Sequence, residues 1–360
     1  MRPTKLAGML LREKGSRQAR RVLEDRYLVS PSRSKLVCEA AACGLREAGR
    51  LTSRSVGLYL GVPFCPTRCA YCSFVSASVG RYGDLIEPYT RALLGEIARR
   101  GALAAELGFV IDSVYMGGGT PTTLSAEQMD RVLTALERSF DLSQIREFTV
   151  EAGRPDTIDL AKLQVLKKHG VDRISINPQS MQPQVLERAG RPHSPEDVER
   201  AFAQAREVGF RAINADLIAG LAGGETPSLE LFRREEGIPS EQSVAEMIDR
   251  GSRLIIDRGY HPYYLYRQKY MAGGFENVGW ALDGMDSVYN ICIMEELCSI
   301  LSLGCGGVTK LTDRRSPRRI SNPKYPKEYI ARSEEEWDAA DEKLRTWVRG
   351  QQEREGSHVF

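Results

Sequence analysis

The rhythm of apolar and polar positions changes twice along this chain. From Gly57 to Leu217, short apolar runs alternate with stretches in which apolar residues recur every three or four positions. The runs Gly57–Val62, Ile111–Met116, Glu147–Glu151, Arg173–Asn177 and Ala212–Leu217 read as buried strands. The stretches Leu85–Arg99, Ala126–Phe140, Ile158–His169 and Pro195–Val208 read as helices. Strand and helix in repeated alternation predict an α/β unit, a parallel sheet with helices outside it. The third helix closes on Lys167-Lys168-His169-Gly170, a basic last turn followed by glycine, as helix ends prefer.

Either side of this unit the pattern differs. Residues 1–56 read as helices at Leu6–Arg12, Arg17–Tyr27 and Ser34–Ala48, with a Ser30-Pro31-Ser32 break before the last. Cys38 and Cys43 fall on that last helix and read as packing residues. Past Leu221 a fifth helix and a sixth strand are due, and neither is evident in the Gly- and charge-rich stretch 222–241. The pattern resumes with a helix at Val244–Arg258, an aromatic strand at His261–Lys269, a helix at Glu295–Leu303 and a glycine turn at Gly304-Cys305-Gly306-Gly307. A basic loop at Asp313–Lys327 and a terminal helix at Glu334–Trp347 follow. The expected division is a helical segment 1–56, the alternating unit 57–241 and an α+β region 242–360.

Composition narrows the class without naming it. At 360 residues there is room for one large α/β domain with appendages. A net charge of +2 gives no reason to expect a nucleic acid partner. No apolar run approaches the ~20 residues of a membrane span. The basic start, Met1–Arg21, holds only the short apolar stretch Leu6–Leu11, so no signal peptide is expected. Glu13, Glu24 and Asp25 disfavour an organellar transit peptide. Eight cysteines without regular pairing point to a reducing, cytoplasmic setting.

The chemistry gathers at the ends of the predicted strands, where parallel sheets bind ligands. Strand one runs into Cys65-Pro-Thr-Arg-Cys69-Ala-Tyr-Cys72, a C-x3-C-x2-C triplet. Three thiolates on one tight loop hold three irons of a [4Fe-4S] cube and leave the fourth iron open to a small molecule. A structural zinc site would want a fourth Cys or His nearby, and His169 and His193 lie far along the chain without partner spacing. A disulfide would strand one thiol. Strand two leads into Gly117-Gly118-Gly119-Thr120-Pro121-Thr122, a turn that lets backbone approach a ligand closely. It is not a Walker loop, because no lysine follows in place. Glu151, Gln179 and Asp216 close strands three, four and five. Cys292, Cys298 and Cys305 are too loosely spaced for a second cluster and read as packing.

The triplet with Tyr71 before its last cysteine resembles the radical S-adenosylmethionine superfamily. The wider set Tyr59-Leu-Gly-Val-Pro-Phe-Cys65, Gly117–Thr122, Val150-Glu151, Pro178-Gln179-Ser180, Arg191 and Asp216-Leu-Ile-Ala-Gly-Leu221 resembles the oxygen-independent coproporphyrinogen III oxidases, also called coproporphyrinogen dehydrogenases. Tyr263-Tyr-Leu-Tyr-Arg-Gln-Lys269 with Glu276-Asn-Val-Gly279 is similar to their HemZ-like branch. The likeness runs from Tyr59 to Lys327 with one break.

That resemblance implies a partial (β/α) barrel of radical S-adenosylmethionine type. It also implies a [4Fe-4S] cluster on Cys65, Cys69 and Cys72, and one or two S-adenosylmethionine molecules. The first would meet Tyr59, Gly118, Glu151 and Val308, and the second Tyr71, Gly119, Thr120, Gln179, Arg191 and Asp216. In the implied reaction a deoxyadenosyl radical takes hydrogen from the β-carbon of a propionate. Carbon dioxide and one further electron then leave, and a vinyl group remains. Two such steps turn coproporphyrinogen III into protoporphyrinogen IX, with a donor such as flavodoxin or ferredoxin supplying electrons. Tyr263, Tyr264 and Tyr266 read as strand core, on which a flat tetrapyrrole would also stack. Arg267 and Lys269 are basic enough to pair with propionates.

Two departures bear on activity. The family's Gly-Leu-Pro-Gly is here Gly220-Leu-Ala-Gly-Gly224, and one helix-plus-strand unit is missing near 222–241, with Ser228–Phe232 a short substitute. A missing inner strand would expose an unpaired edge. The competing readings are a haem-binding chaperone of the same family, a haem-opening methyltransferase of the same lineage, and an inactive truncated relative.

Overall fold

The computed structural model describes residues 3–74, 76–221, 240–267, 274–312 and 317–356. By internal contact the chain forms two compact units, one from Arg54–Leu217 with Ser299–Phe360, the other from Met1–Ser53 with Ile218–Cys298.

The larger unit is an open eight-stranded sheet. Its strands are β1 (Ser55–Val62), β4 (Val110–Gly118), β5 (Glu147–Glu151), β6 (Arg173–Ser175), β7 (Ala212–Asn214), β10 (Ser299–Gly304), β11 (Val308–Leu311) and β12 (Arg318–Ser321). Their order is β12-β11-β10-β1-β4-β5-β6-β7. From β10 to β7 every pairing is parallel, and only the β10–β11–β12 end is antiparallel. Two-residue strands β2 (Phe64–Cys65) and β3 (Ala77–Ser78) pair separately.

The crossovers run through α3 (Val79–Tyr82), α4 (Ile86–Glu106), α5 (Ala126–Ser139), α6 (Leu160–Lys168), α7 (Pro183–Arg188) and α8 (Pro195–Val208). Ser125 and Ser194 begin α5 and α8 with capping boxes, each side chain accepting from the backbone three residues on. Leu58, Leu60, Met116, Val150 and Ile174 from the strands are fully buried with Leu93, Ile97, Leu133 and Leu166 from the helices, in one core. Helices α11 (Pro326–Ile330) and α12 (Glu334–Gly356) complete this unit.

The expected strands and helices between residues 57 and 217 are present. Two expectations fail beyond them. Glu295–Leu303 is not a helix, because Ser299–Gly304 is a strand that pairs along its whole length with Val56–Gly61 of β1. All six of its residues are buried. A strand covered on both faces has no polar alternation, so its apolar run looks the same as a buried helix. The loop expected at Asp313–Lys327 contains β12 and the start of α11 instead. Short exposed edge strands rich in arginine carry little strand signal. The fifth helix and sixth strand due near 222–241, and the substitute Ser228–Phe232, fall on residues 222–239, outside the described residues.

The smaller unit holds α1 (Pro3–Tyr27), α2 (Pro31–Ala48), α9 (Glu241–Ile256), the antiparallel pair β8 (His261–Arg267) and β9 (Glu276–Ala281), and α10 (Val288–Glu295). Helix α1 is interrupted at Gly15, whose φ of 74 breaks the helical path where the sequence pattern also breaks. Tyr263 is buried, and Tyr264 and Tyr266 are half-buried with stacked rings 6.2 Å apart. Lys269 lies outside the described residues. No described helix is long and apolar enough to cross a membrane.

Candidate functional site

The C-terminal ends of β1, β4, β5, β6 and β7 deliver polar groups to one rim of the sheet. The cysteine loop leaves β1 and is closed at its base where Ala77 N–H donates to Pro63 O (2.7 Å). The glycine turn after β4 lies against it. Gly119 N–H donates to Val62 O and Thr120 N–H to Phe64 O, each at 2.7 Å. Gly118 has a φ of 113, and a Cβ there would sit 2.9 Å from Val62 O. A Cβ on Gly119 would sit 3.0 Å from Cys65 Sγ. Only glycines allow this turn so close to the loop.

Cys65, Cys69 and Cys72 are half-exposed, and all eight cysteines are free thiols. Burial pushes the Cys65 and Cys72 thiols up. Thr120 Oγ1 lies 3.5 Å from Cys65 Sγ. Two guanidinium groups face Cys69. Arg154 and Arg191 each place a nitrogen 3.8 Å from its sulfur. Arg154 is buried and is held by Asp156 through two 2.8 Å bonds and by Thr67 at 3.0 Å. Arg191 donates to Tyr71 OH (3.1 Å), Gly153 O (3.0 Å) and Asn177 O (2.6 Å).

Glu151, at the end of β5, accepts from Tyr115 OH at 2.6 Å. Burial pushes its carboxyl up to about 7 against the pull of that bond, and the Asp216 charge adds to the rise. Tyr59 stacks on Tyr115 with centroids 6.3 Å apart. The Tyr59 and Tyr71 phenols are both pushed up by burial. Asp216 reaches solvent yet is crowded by protein, which pushes its carboxyl up while Arg191 pulls it down. Gln179 takes a left-handed φ of 66 and donates its N–H to Asp216 O (2.9 Å). A non-glycine residue held there marks a position fixed by its surroundings.

Several buried polar atoms at this rim have no hydrogen-bond partner: Gln179 Oε1, Asn177 Oδ1, Arg191 Nε and both ring nitrogens of His193. Native interiors satisfy nearly all such atoms, so a cluster of exceptions fits a polar ligand. Burial and the neighbouring Arg191 push the His193 ring down, against Asp156. The three cysteines also suit a cluster better than a single ion. The one group of three donor atoms within 4.8 Å of one another among the described residues does not include them. A cube spreads its thiolates over separate corners.

The sequence-derived residues Tyr59, Tyr71, Gly118, Gly119, Thr120, Glu151, Gln179, Arg191 and Asp216 thus share one rim with the cysteine loop. Val308 opens β11 just past the glycine turn that follows β10, pairs with Ser321 and accepts from Ser302 Oγ (2.8 Å). Sequence reasoning missed Arg154, Asn177, His193 and Tyr115. Arg154 had a readable sign, since it follows directly on the Glu151 strand end as Arg154-Pro155-Asp156. Tyr115 had none, because an aromatic inside a strand reads as core.

The family model of the Radical SAM superfamily matches residues 59–227. "Oxygen-independent coproporphyrinogen-III oxidase-like protein HemZ" of Bacillus subtilis (strain 168) is 37% identical over 379 residues, covering 96% of this chain and 75% of that protein. "Heme chaperone HemW" of the same organism is 38% identical over 176 residues, 48% of this chain and 44% of that one. The solved structure of coproporphyrinogen III oxidase (HemN) from Escherichia coli superposes with a TM-score of 0.58 over 79% of this chain and 70% of that one. At 21% identity that likeness shows the fold. The chain belongs to the radical S-adenosylmethionine superfamily, on its HemN/HemZ-like branch, and its cofactors are a [4Fe-4S] cluster and S-adenosylmethionine.

Proposed function

We propose that this protein oxidatively decarboxylates the propionate side chains of coproporphyrinogen III to vinyl groups, giving protoporphyrinogen IX. One observation carries the reading. The rim gathers Glu151, Gly118, Arg191, Gln179 and Asp216 beside the cysteine loop, with buried polar atoms of Gln179, Asn177 and Arg191 left without a partner. Such a rim suits a protein that binds polar ligands beside its cysteine loop. The near full-length likeness to a relative named for coproporphyrinogen oxidase supports the substrate class.

In this reading Cys65, Cys69 and Cys72 hold three corners of the cluster. When bound, the cluster supplies the electron that opens the sulfonium of S-adenosylmethionine. Glu151 accepts from ribose hydroxyls or an ammonium, and Gly118 offers backbone at close range. Arg191 pairs with a carboxylate, and its bonds to Tyr71 OH and two carbonyls fix its direction. Each decarboxylation leaves one electron for an acceptor, and a small donor such as flavodoxin or ferredoxin feeds the cluster.

The test is anaerobic reconstitution with iron and sulfide, then incubation with S-adenosylmethionine, a reductant and coproporphyrinogen III. Vinyl products formed with 5′-deoxyadenosine are expected, and Cys69→Ala is expected to abolish both. Deoxyadenosine without vinyl product sinks the substrate assignment. The HemW likeness over half the chain favours a second reading, haem carriage. Stoichiometric haem binding without turnover would select it.

A further inference from the structure

A second cluster of metal-ligating side chains lies in the smaller unit, among residues the proposed chemistry does not use. Cys43 Sγ, a ring nitrogen of His261 and a carboxylate oxygen of Asp286 all lie within 4.8 Å of one another. They come from three elements. Cys43 is on α2, His261 opens β8, and Asp286 stands just before α10. Cys43 is buried, packed with Tyr263, Ala281 and Ile291, while His261 and Asp286 are half-buried. The thiol therefore has an apolar wall behind it and an opening toward the imidazole and the carboxylate.

Three features separate this group from a chance meeting of surface residues. Thiolate, imidazole and carboxylate together form the donor set of a borderline-soft divalent ion, and hard cations such as magnesium avoid sulfur. His261 Nε2 also lies 2.7 Å from Asp286, so two of the three donors already face each other, and the exposed Asp283 lies 3.4 Å from Nδ1. A carboxylate beside the second ring nitrogen is a common neighbour of metal-binding histidines. Finally, a cation already stands there. A guanidinium nitrogen of Arg46 lies 3.0 Å from Cys43 Sγ and 3.8 Å from Asp286. The Arg46 side chain is 59% exposed, so it can swing into water without unpacking the core.

We propose that Cys43, His261 and Asp286 bind a zinc-class divalent cation that clips α2 to β8 and to the start of α10. The ion displaces the Arg46 guanidinium and the thiol proton, which passes to solvent. Three protein donors leave a fourth position for water. Nothing in this site depends on the cysteine loop of the larger unit.

The test uses the full chain with its iron–sulfur cluster loaded, so that Cys65, Cys69 and Cys72 are already engaged. After anaerobic dialysis against buffered zinc sulfate, zinc and iron are counted by mass spectrometry. Zinc-edge X-ray absorption then reads the ligands. About one zinc per chain is expected, with one sulfur at about 2.3 Å and the remaining ligands nitrogen or oxygen at about 2.0–2.2 Å. Cys43→Ser and His261→Ala should each weaken retention by about tenfold or more at unchanged iron content. Arg46→Gln removes the competing charge from an exposed position, so it should tighten zinc binding even if the other variants fold poorly. No retained zinc, equal retention by all variants, or a shell of sulfur alone overturns the proposal.

Discussion

Two acidic side chains of the larger unit, Glu96 and Glu151, sit beside the same sheet and meet different fates. Glu96, on α4, has no side-chain exposure. It accepts from Gly304 N–H and Tyr329 OH at 2.6 Å and from Asn322 Nδ2 at 2.8 Å, with Arg100 3.9 Å away. Burial pushes its carboxyl up, and those donors pull it back. Glu151, at the rim, has Tyr115 as its one side-chain donor and a carboxyl pushed up to about 7. The first carboxylate is saturated by its own protein and ties α4 to β10 and α11. The second has fewer donors, Tyr115 OH and the Gly118 backbone, and sits at the rim beside the cysteine loop. Burial alone does not mark a functional group; a carboxyl pushed up at a rim of strand ends does.

The comparison breaks most sharply at Glu96. Its replacement by alanine strands the Gly304 N–H and the Tyr329 hydroxyl, takes one of two acceptors from Asn322 Nδ2, and leaves the buried Arg100 with Asp341 alone. Glu96→Ala should cost about 3–5 kcal/mol of stability, read as a fall in the denaturant midpoint. A loss confined to ligand binding would erase the contrast. Glu151→Gln should not lower that midpoint at neutral pH, and it should weaken S-adenosylmethionine binding by about tenfold or more, as expected for a charge-assisted bond worth about 1.5–3 kcal/mol. Isothermal titration measures it.

The pH dependence sharpens the same point. The Glu151 carboxyl titrates near 7, above the ordinary carboxylate range, so ligand contacts needing its charge are complete above about 7 and fade below it. Affinity should then fall by a limiting factor of about ten per pH unit, and Glu151→Gln should flatten that slope. For the ligand-free chain the sign reverses. A raised carboxyl favours the folded state at acid pH and loses that contribution as pH rises from the ordinary carboxylate range through about 7. The wild-type minus Glu151→Gln stability difference should show this trend. The smallest effect is expected from Tyr115→Phe, which removes the bond that holds the carboxyl down. The binding midpoint should move to higher pH by about one unit or less, since a typical hydrogen bond is worth about 0.5–1.5 kcal/mol.

Residues close in sequence to a strand end were readable, and residues made important by distant partners were not. Cys65–Cys72, Gly117–Thr122, Glu151, Gln179 and Asp216 each follow an apolar run directly, so the α/β rhythm alone placed them on one rim. Arg154 stands just past the Glu151 strand end and His193 further from one, and neither position shows which sulfur or cation the side chain faces. Glu96 looked like any charged helix residue. Its partners Gly304, Asn322 and Tyr329 are more than 200 positions away, and no local pattern links them. The misreading of Ser299–Gly304 has a related cause. A strand flanked by β1 and β11 has no exposed side to supply polar residues, and its neighbours are found only in space.

The seat of β10 beside β1 has a consequence for how the chain is made. The cysteine loop leaves the ribosome with one neighbour of its supporting strand, β4, close behind it. The other neighbour is not synthesised until Gly304. A polypeptide halted anywhere before that point carries the Cys65–Cys72 loop on a strand whose far edge is bare, open to pairing with another copy. Assembly of iron and sulfide on that loop is therefore expected only after β10 has been made.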